Sequence, residues 1–399
     1  MNRQLFMAVL SGLSLSSRAL TLEEALATAS EKSPELRAAR AEAQAAAAEA
    51  RGAALWENPE LEFEAEGIGG DNIGADSAEY TVMLSQEFPM VGKTASRREI
   101  AGYSTDAARL EMRAAGREFE AVVRGAFVGL QAEEEILSVQ NQQVELAEEF
   151  LATIQKRRDA GAASEIDVLS AEMAVEQSRI DRQAAENTAA AARNRLARLL
   201  GVPEVRKTDG DFFQPLEKPA VSLSAEAVPV LQVFQTLEKQ AQAESRLAEK
   251  SRIPDLTLGA GARYEEDGNV HTYLFAASIP LPLFNRGQSD VLAAGLRSQA
   301  SAALREQARR DLEQEVDQLV SEFEMSVAEA TRCRETLLPK AERAVELMMD
   351  GAASGRYGRR EQIEARQALA EIQVRAVEAQ RAAWKAQAQL LKFRAGDDQ

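Results

Sequence analysis

The chain has little of what most folds and most active sites rely on. Of its 399 residues, one is cysteine (Cys333), one is histidine (His271), and only 5% are aromatic. A single cysteine excludes an internal disulfide framework, and one cysteine with one histidine cannot build a structural zinc site. Cys333 lies in a helical stretch and reads as a small packing residue. His271 opens an alternating segment and reads as a solvated side chain. No nucleophile–base pair suggests itself, and no Gly-rich phosphate loop of the GxxxxGK[ST] kind occurs. No catalytic residue, cofactor site or metal site is therefore assigned. An excess of base is missing too: 47 Lys and Arg against 64 Asp and Glu give a formal charge of -17. That balance argues against a nucleic-acid partner, since phosphate binding needs a basic surface. Few aromatics beside abundant Ala, Glu, Gln, Arg and Leu point to long helices with narrow apolar seams.

Long hydrophobic runs are also absent. At the N-terminus Arg3, an apolar stretch over residues 5–15 and the small-x-small set Ser17-Arg18-Ala19 have the layout of a signal peptide spanning residues 1–19. Its run of about 11 apolar residues is too short to span a bilayer. No cysteine follows it, so a bacterial lipid anchor is not indicated. No other stretch approaches 20 apolar residues, so a membrane crossing by this chain would have to use a β-barrel.

What is present is an internal repeat. Pro34 in Ser-Pro-Glu-Leu recurs as Pro229 in Val-Pro-Val-Leu, 195 residues later. Pro59-Glu60-Leu61 recurs as Pro254-Asp255-Leu256, and Gly92 as Gly287, at the same offset. Gly161 recurs as Gly355 at 194 residues, and Gly201 as Gly396 at 195. One such match could arise by chance; five in register, each at a turn or boundary, indicate a tandem duplication. The first copy covers residues 20–201, a proline-bearing linker covers 202–228, the second copy covers 229–396, and 397–399 form a tail.

Each copy opens with a helix followed by a β-hairpin, at 59–89 and 254–282. In the first, Leu61, Phe63 and Ala65 alternate with Glu60, Glu62, Glu64 and Glu66, the period of a half-buried strand. Its partner sets Tyr80, Val82, Leu84 and Phe88 against Thr81, Met83, Ser85 and Glu87. In the second copy Leu256, Leu258, Ala260 and Ala262 share one face, and Tyr273, Phe275, Ala277 and Ile279 share another. The four strands, of about 9 to 11 residues, have the length of a tilted bilayer-crossing strand. Four strands cannot close a barrel whose smallest bacterial form has about eight, so several chains would have to contribute. A soluble sandwich with one wet face would explain the alternation equally well, but it leaves the helices unexplained. Long helices are expected over 95–159 and 286–350, each roughly 100 Å at 1.5 Å per residue, with Pro339 kinking or splitting the second. Shorter helices return over 165–200 and 360–393. An ordinary coiled coil would need continuous heptads and no hairpins.

The opening Leu20-Thr-Leu-Glu-Glu-Ala-Leu26, then Ser-Pro-Glu-Leu, Asn-Pro-Glu-Leu and two hairpin–helix repeats, together resemble the TolC outer-membrane efflux family over nearly all of the chain after residue 19. Leu84 to Lys93, reading LSQEFPMVGK, looks most like the branch serving heavy-metal efflux of the cobalt–zinc–cadmium type. The resemblance implies a mainly α fold with a β-barrel part. Three chains, four strands each, would form a 12-stranded barrel in outer-membrane lipid, continued by a 12-helix α-barrel through the periplasm. It implies an equatorial belt from the linker and the C-terminal end. It also implies a homotrimer that passively conducts metal cations or small toxic compounds. The implied partners are a periplasmic adaptor and an inner-membrane pump of the RND type.

Residue by residue, the resemblance places adaptor contacts at the helix tips: Arg157, Arg158, Gly161 and Ser164 in the first copy, Gly355, Arg356 and Tyr357 in the second. It places gate carboxylates six and nine residues after the second tip glycine, at Glu361 and Glu364, with Asp167 the corresponding acid of the first copy. Arg359 and Arg360 beside the second tip depart from an acidic entrance. Strand alternation, apart from any resemblance, puts Glu60, Glu62, Glu64 and Glu66 on the pore lumen if lipid meets Leu61 and Phe63. That arrangement gives an anionic wall, with a weak metal relay as the lesser reading. A protein-secretion conduit and a soluble periplasmic coiled-coil scaffold are the competing assignments.

Overall fold

The computed structural model describes residues 19–53, 55–67, 78–205, 207–223, 228–353 and 359–394, with side chains described outside 349–353 and 359–360. The expected signal segment lies outside these residues up to Arg18. Helices α1 (Leu22–Lys32) and α2 (Pro34–Ala53) lead into strands β1 (Glu60–Glu66) and β2 (Glu79–Phe88). Helices α3 (Lys93–Asp159), α4 (Glu165–Leu200) and α5 (Pro229–Ser251) follow, then strands β3 (Leu256–Glu265) and β4 (Val270–Ser278). The chain ends with helices α6 (Gln288–Arg332), α7 (Leu338–Ala353) and α8 (Arg359–Leu390). β1 has only 7 residues, shorter than expected, and Ile279 falls beyond the end of β4.

Two details refine a plain reading of the helices. The N-terminal helix is two helices, and α1 has its own start signal. Thr21 accepts from the Glu24 N–H, and the Glu24 carboxylate accepts from the Thr21 N–H, a capping box legible as Thr-x-x-Glu. At Pro339 the expected long helix is split locally into α6 and α7. A π turn, Cys333–Leu337, precedes it, in which the Leu338 N–H reaches back to the Cys333 carbonyl. The wider turn absorbs the missing proline N–H and the ring's clash with the preceding turn. Cys333 is buried there, and burial pushes its thiol above the ordinary range, with Glu329 adding and Arg375 opposing. An inert packing role follows.

The residues group into two compact units, and each draws on both sequence repeats. Among the described residues, the first comprises those within 19–36, 116–222 and 315–394, and the second those within 37–115 and 223–314. In the first unit the core joins Ala25 and Ala29 of α1 to Phe119, Val123, Phe127 and Leu130 of α3 and to Leu196 and Leu200 of α4. The inter-repeat linker is pinned to this core. Phe212 is buried, and its carbonyl accepts from Trp384 Nε1 at 2.9 Å and Gln380 Nε2 at 3.1 Å. The Phe213 carbonyl accepts from Arg334 at 2.7 Å. Val221 bridges Arg394, and the Ser222 N–H meets the Phe393 carbonyl, so the linker and the C-terminal end run together.

In the second unit the sheet is antiparallel in the order β1-β2-β3-β4. α3 starts after Gly92 (φ +71°), and the turn to α6 uses Gly287 at the same angle, a left-handed backbone that favours glycine. Lys93 then opens α3 with a positive charge, which the positive end of the helix disfavours. Its side chain is 5% exposed, and the ammonium sits 2.8 Å from Asp255 Oδ1, which also accepts from the Met90 N–H at 2.7 Å. This buried pair ties the start of the first long helix to the approach of β3. Removing one partner of such a pair strands the other's charge, at about 3 kcal/mol or more. Lys93→Met should lower the thermal unfolding midpoint measured by circular dichroism, and adding Asp255→Asn should recover part of the loss.

Candidate functional site

The strand register decides which residues face together. Directly opposed residues in an antiparallel pair share a face. Leu61 pairs Leu84, which pairs Ala260, which pairs Phe275. The next row is Phe63, Val82, Ala262 and Tyr273. The apolar sets expected from the four strands, Ile279 apart, thus fall on one face. That face is bare: Leu61, Phe63, Tyr273 and Phe275 are each at least 66% exposed. Toward the hairpin loops it ends in an aromatic row, with Tyr80 stacked on Phe63 and Tyr264 tilted over His271 at 5.1 Å. At the other end Trp56 meets Phe88 edge-on at 5.6 Å. Gln86, polar on this face, satisfies its amide by donating to the Glu57 and Glu87 carbonyls.

The opposite face is charged. Glu60, Glu62, Glu64 and Glu66 all lie on it, opposite Ser85, Met83, Thr81 and Glu79. β3 contributes Gly259, Gly261, Arg263 and Glu265 to the same face. Gly261 is required by space, since a Cβ there would come within 2.5 Å of the Val82 carbonyl. Arg263 reaches Glu79 and Thr81 at 2.8 and 3.1 Å. Expectation from the sequence did not single out this arginine or Glu79 and Glu265, because cross-strand neighbours become adjacent only through register. Among the described residues both outer strands, β1 and β4, pair on one side only.

The first helix tip is built from a Schellman motif. Gly161 has φ +75°, its N–H meets the Arg158 carbonyl, and the Ala162 N–H meets the Arg157 carbonyl at 2.7 Å. α4 then starts at a second capping box. The Asp167 carboxylate accepts from the Ser164 N–H and hydroxyl at 3.0 and 2.7 Å, and the Ser164 oxygen accepts from the Asp167 N–H. Arg158 is held by Asp159 at 2.8 Å. So Ser164 and Asp167, singled out as contact and gate residues, also start the helix. Gly355, Arg356 and Tyr357 of the second tip lie outside the described residues. Glu361 and Glu364 are exposed, one turn apart on α8. Just beyond them Arg366 is held against α3, donating to the Leu146 carbonyl at 3.1 Å with its guanidinium 4.6 Å from the Phe150 ring centre. Burial lowers its affinity for the proton, and Glu149 opposes that. Among the described residues no helix is long and apolar enough to cross a membrane, and no group of three or more His, Cys, Asp or Glu is placed to hold a metal ion.

A family model described as outer membrane efflux protein matches residues 25–202 and 220–395. The chain is 25% identical over 365 residues to the cobalt-zinc-cadmium resistance protein CzcC of Cupriavidus metallidurans, covering 89% of this chain and 85% of that protein. It is 23% identical to the nickel-cobalt-cadmium resistance protein NccC of Alcaligenes xylosoxydans, over 63% of this chain and 58% of that one. Among solved structures, CusC superposes with a TM-score of 0.82 at 18% identity over 96% of both chains. The open state of the MtrE outer membrane channel of Neisseria gonorrhoeae superposes at 0.79, with 22% identity over 93% of this chain and 88% of that one.

The tip geometry has a measurable consequence. Ser164→Ala removes both hydroxyl bonds of the cap and should cost about 1 kcal/mol in denaturant unfolding. Gly161→Val, which forces a branched residue to φ +75°, should cost more.

Proposed function

We infer the function from one premise: the chain belongs to the outer membrane efflux protein family. It is an outer-membrane channel that extends into the periplasm. The observation that carries the finer reading is the register of the sheet. It collects the apolar residues of four strands on one face and the charged residues on the other, and it leaves two edges open. In hydrocarbon an unpaired backbone edge costs several kcal/mol per group, so such a sheet is stable only within a closed barrel. We propose that three copies close it, with twelve strands around a water-filled lumen. The bare face of Leu61, Phe63, Tyr273 and Phe275 then meets lipid, and Glu60, Glu62, Glu64 and Glu66 line the passage.

The helices of the first unit also call for a neighbouring copy. Phe150 and Ile154 of α3 pack on Val168 and Ala171 of α4. α3 meets α8 through Arg366 and through Arg381, whose guanidinium is 2.9 Å from Glu133. α8 packs Leu369 on Ala341 and Val345 of α7. The row therefore runs α4, α3, α8, α7, with α4 and α7 at its ends. α4 carries a second apolar stripe, Ile166, Leu169, Met173 and Ile180, each at least half exposed. Two residues' displacement from the buried stripe turns it about 200° around the helix, so it faces away from α3. A stripe on each side suits a helix with two neighbours, and the second neighbour is α7 of the next copy. Leu169→Glu with Met173→Glu should leave the protein monomeric in detergent by light scattering; an undisturbed trimer would remove this seam.

The conduit is passive, and an inner-membrane pump with a periplasmic adaptor delivers the cargo. The tips around Arg157, Arg158, Gly161, Ser164, Gly355, Arg356 and Tyr357 are the adaptor contacts. Glu361 and Glu364 ring the periplasmic entrance, and Asp167 adds an acid already engaged in its cap. The cargo we propose is divalent metal cations, on the strength of the anionic wall and of the metal-resistance relatives. Single-channel recording tests the wall. Replacing Glu60, Glu62, Glu64 and Glu66 with Gln should lower the K+/Cl− permeability ratio by about twofold or more. An unchanged ratio would sink the lumen assignment.

A further inference from the structure

The charged face of the sheet holds a feature that the glutamate ladder alone does not contain. Glu66 pairs Glu79, and Glu79 pairs Glu265, so three adjacent strands carry a carboxylate in one row at the hairpin-loop end. Neighbouring strands lie about 4.8 Å apart, and like charges directly opposite destabilise the pairing. The only cation on this face among the described residues is Arg263, one row further from the loops. Its Nη1 is 2.8 Å from Glu79 Oε2, its Nη2 is 3.9 Å from Glu66 Oε2, and its Nε donates to Thr81 Oγ1 at 3.1 Å. One guanidinium thus reaches two of the three carboxylates. By contrast, Glu60, Glu62 and Glu64 have no counter-charge among the described residues.

We propose that Arg263 is a specificity-determining residue of the channel, limiting how strongly its hairpin-loop end selects cations. The proposal rests on the reading that the glutamate face lines the lumen. Three copies place nine carboxylates from this row and three guanidiniums at one level of a narrow aqueous passage, where low-dielectric walls focus the field of each charge. On the side of Arg263 away from the loops, β3 continues on this face with Gly261 and Gly259, which carry no side chain, so no neighbour on its own strand crowds the arginine there. It is also 30% exposed, and so remains in contact with water and passing ions. Arg263 therefore fixes the net charge of that level; removing it leaves three carboxylates per copy unopposed.

The experiment is reversal-potential measurement of purified trimers in planar bilayers under a KCl gradient. Arg263→Gln should raise the K+/Cl− permeability ratio by about twofold, and Arg263→Lys should keep it near the wild-type value. Glu79→Gln, which unbalances the row toward positive, should lower it, and this variant serves if Arg263→Gln does not assemble. A ratio unmoved by both Arg263→Gln and Glu79→Gln, while the Glu60, Glu62, Glu64 and Glu66 replacements do move it, overturns the proposal and leaves the lumen reading intact. A ratio unmoved by any of these variants overturns the lumen reading itself.

Discussion

The backbone of an open sheet edge needs a hydrogen-bonding partner, and in this protein that requirement governs everything else. Four strands with one bare apolar face and two unpaired edges satisfy neither water nor lipid on their own. Water would be met by large exposed rings on Tyr273 and Phe275; lipid would be met by unpaired N–H and C=O groups on β1 and β4. Closure with further strands resolves both at once. The helices carry the same logic into the other unit, where α4 presents apolar stripes on two sides and its own chain covers only one. Both units thus leave unfinished surfaces, which the proposed trimer would complete.

Within the chain, the two repeats are joined by the β2–β3 ladder and a shared apolar core, and a few concentrated polar contacts add to these. The pair Lys93–Asp255 joins the start of one repeat's long helix to the approach of the other repeat's strand. Phe212 and Phe213, in the linker, are gripped through their carbonyls by Trp384, Gln380 and Arg334 from the second repeat. Narrow alanine-rich helices bury little area each, at about 25 cal/mol per Å2. Polar clamps on backbone carbonyls therefore supply orientation that a small apolar seam does not.

The repeats are alike in plan and unlike in chemistry. The first brings the glutamate ladder, the described tip and the exposed stripe of α4. The second brings Arg263, the π turn before Pro339, and Glu361 and Glu364. Corresponding acids also have different situations: Asp167 closes the capping box of its helix, whereas Glu361 lies on the exposed surface of α8. A duplicated scaffold can divide its work in this way because each copy is needed for closure, while its surface positions remain free to diverge.

The strands, the long helices and the glycine of the first tip were legible in the chain, because each depends on local periodicity or on one residue's backbone freedom. Period-two alternation needs no partner to be seen, and a glycine before a Ser-x-x-Asp cap marks a reversal by itself. The other capping signal, Thr21 with Glu24, was equally local and marks a helix that the repeat pattern, with one helix before each hairpin, left out. The π turn depends on how the chain absorbs Pro339, which sequence spacing leaves open. Most of all, the row Glu66–Glu79–Glu265 with its single arginine exists only after three strands, up to nearly 200 positions apart in the chain, lock into one register. Local spacing determined which residues could face a pore; the tertiary register decided which charges stand side by side, since electrostatic neighbours are set by distance in space and not along the chain.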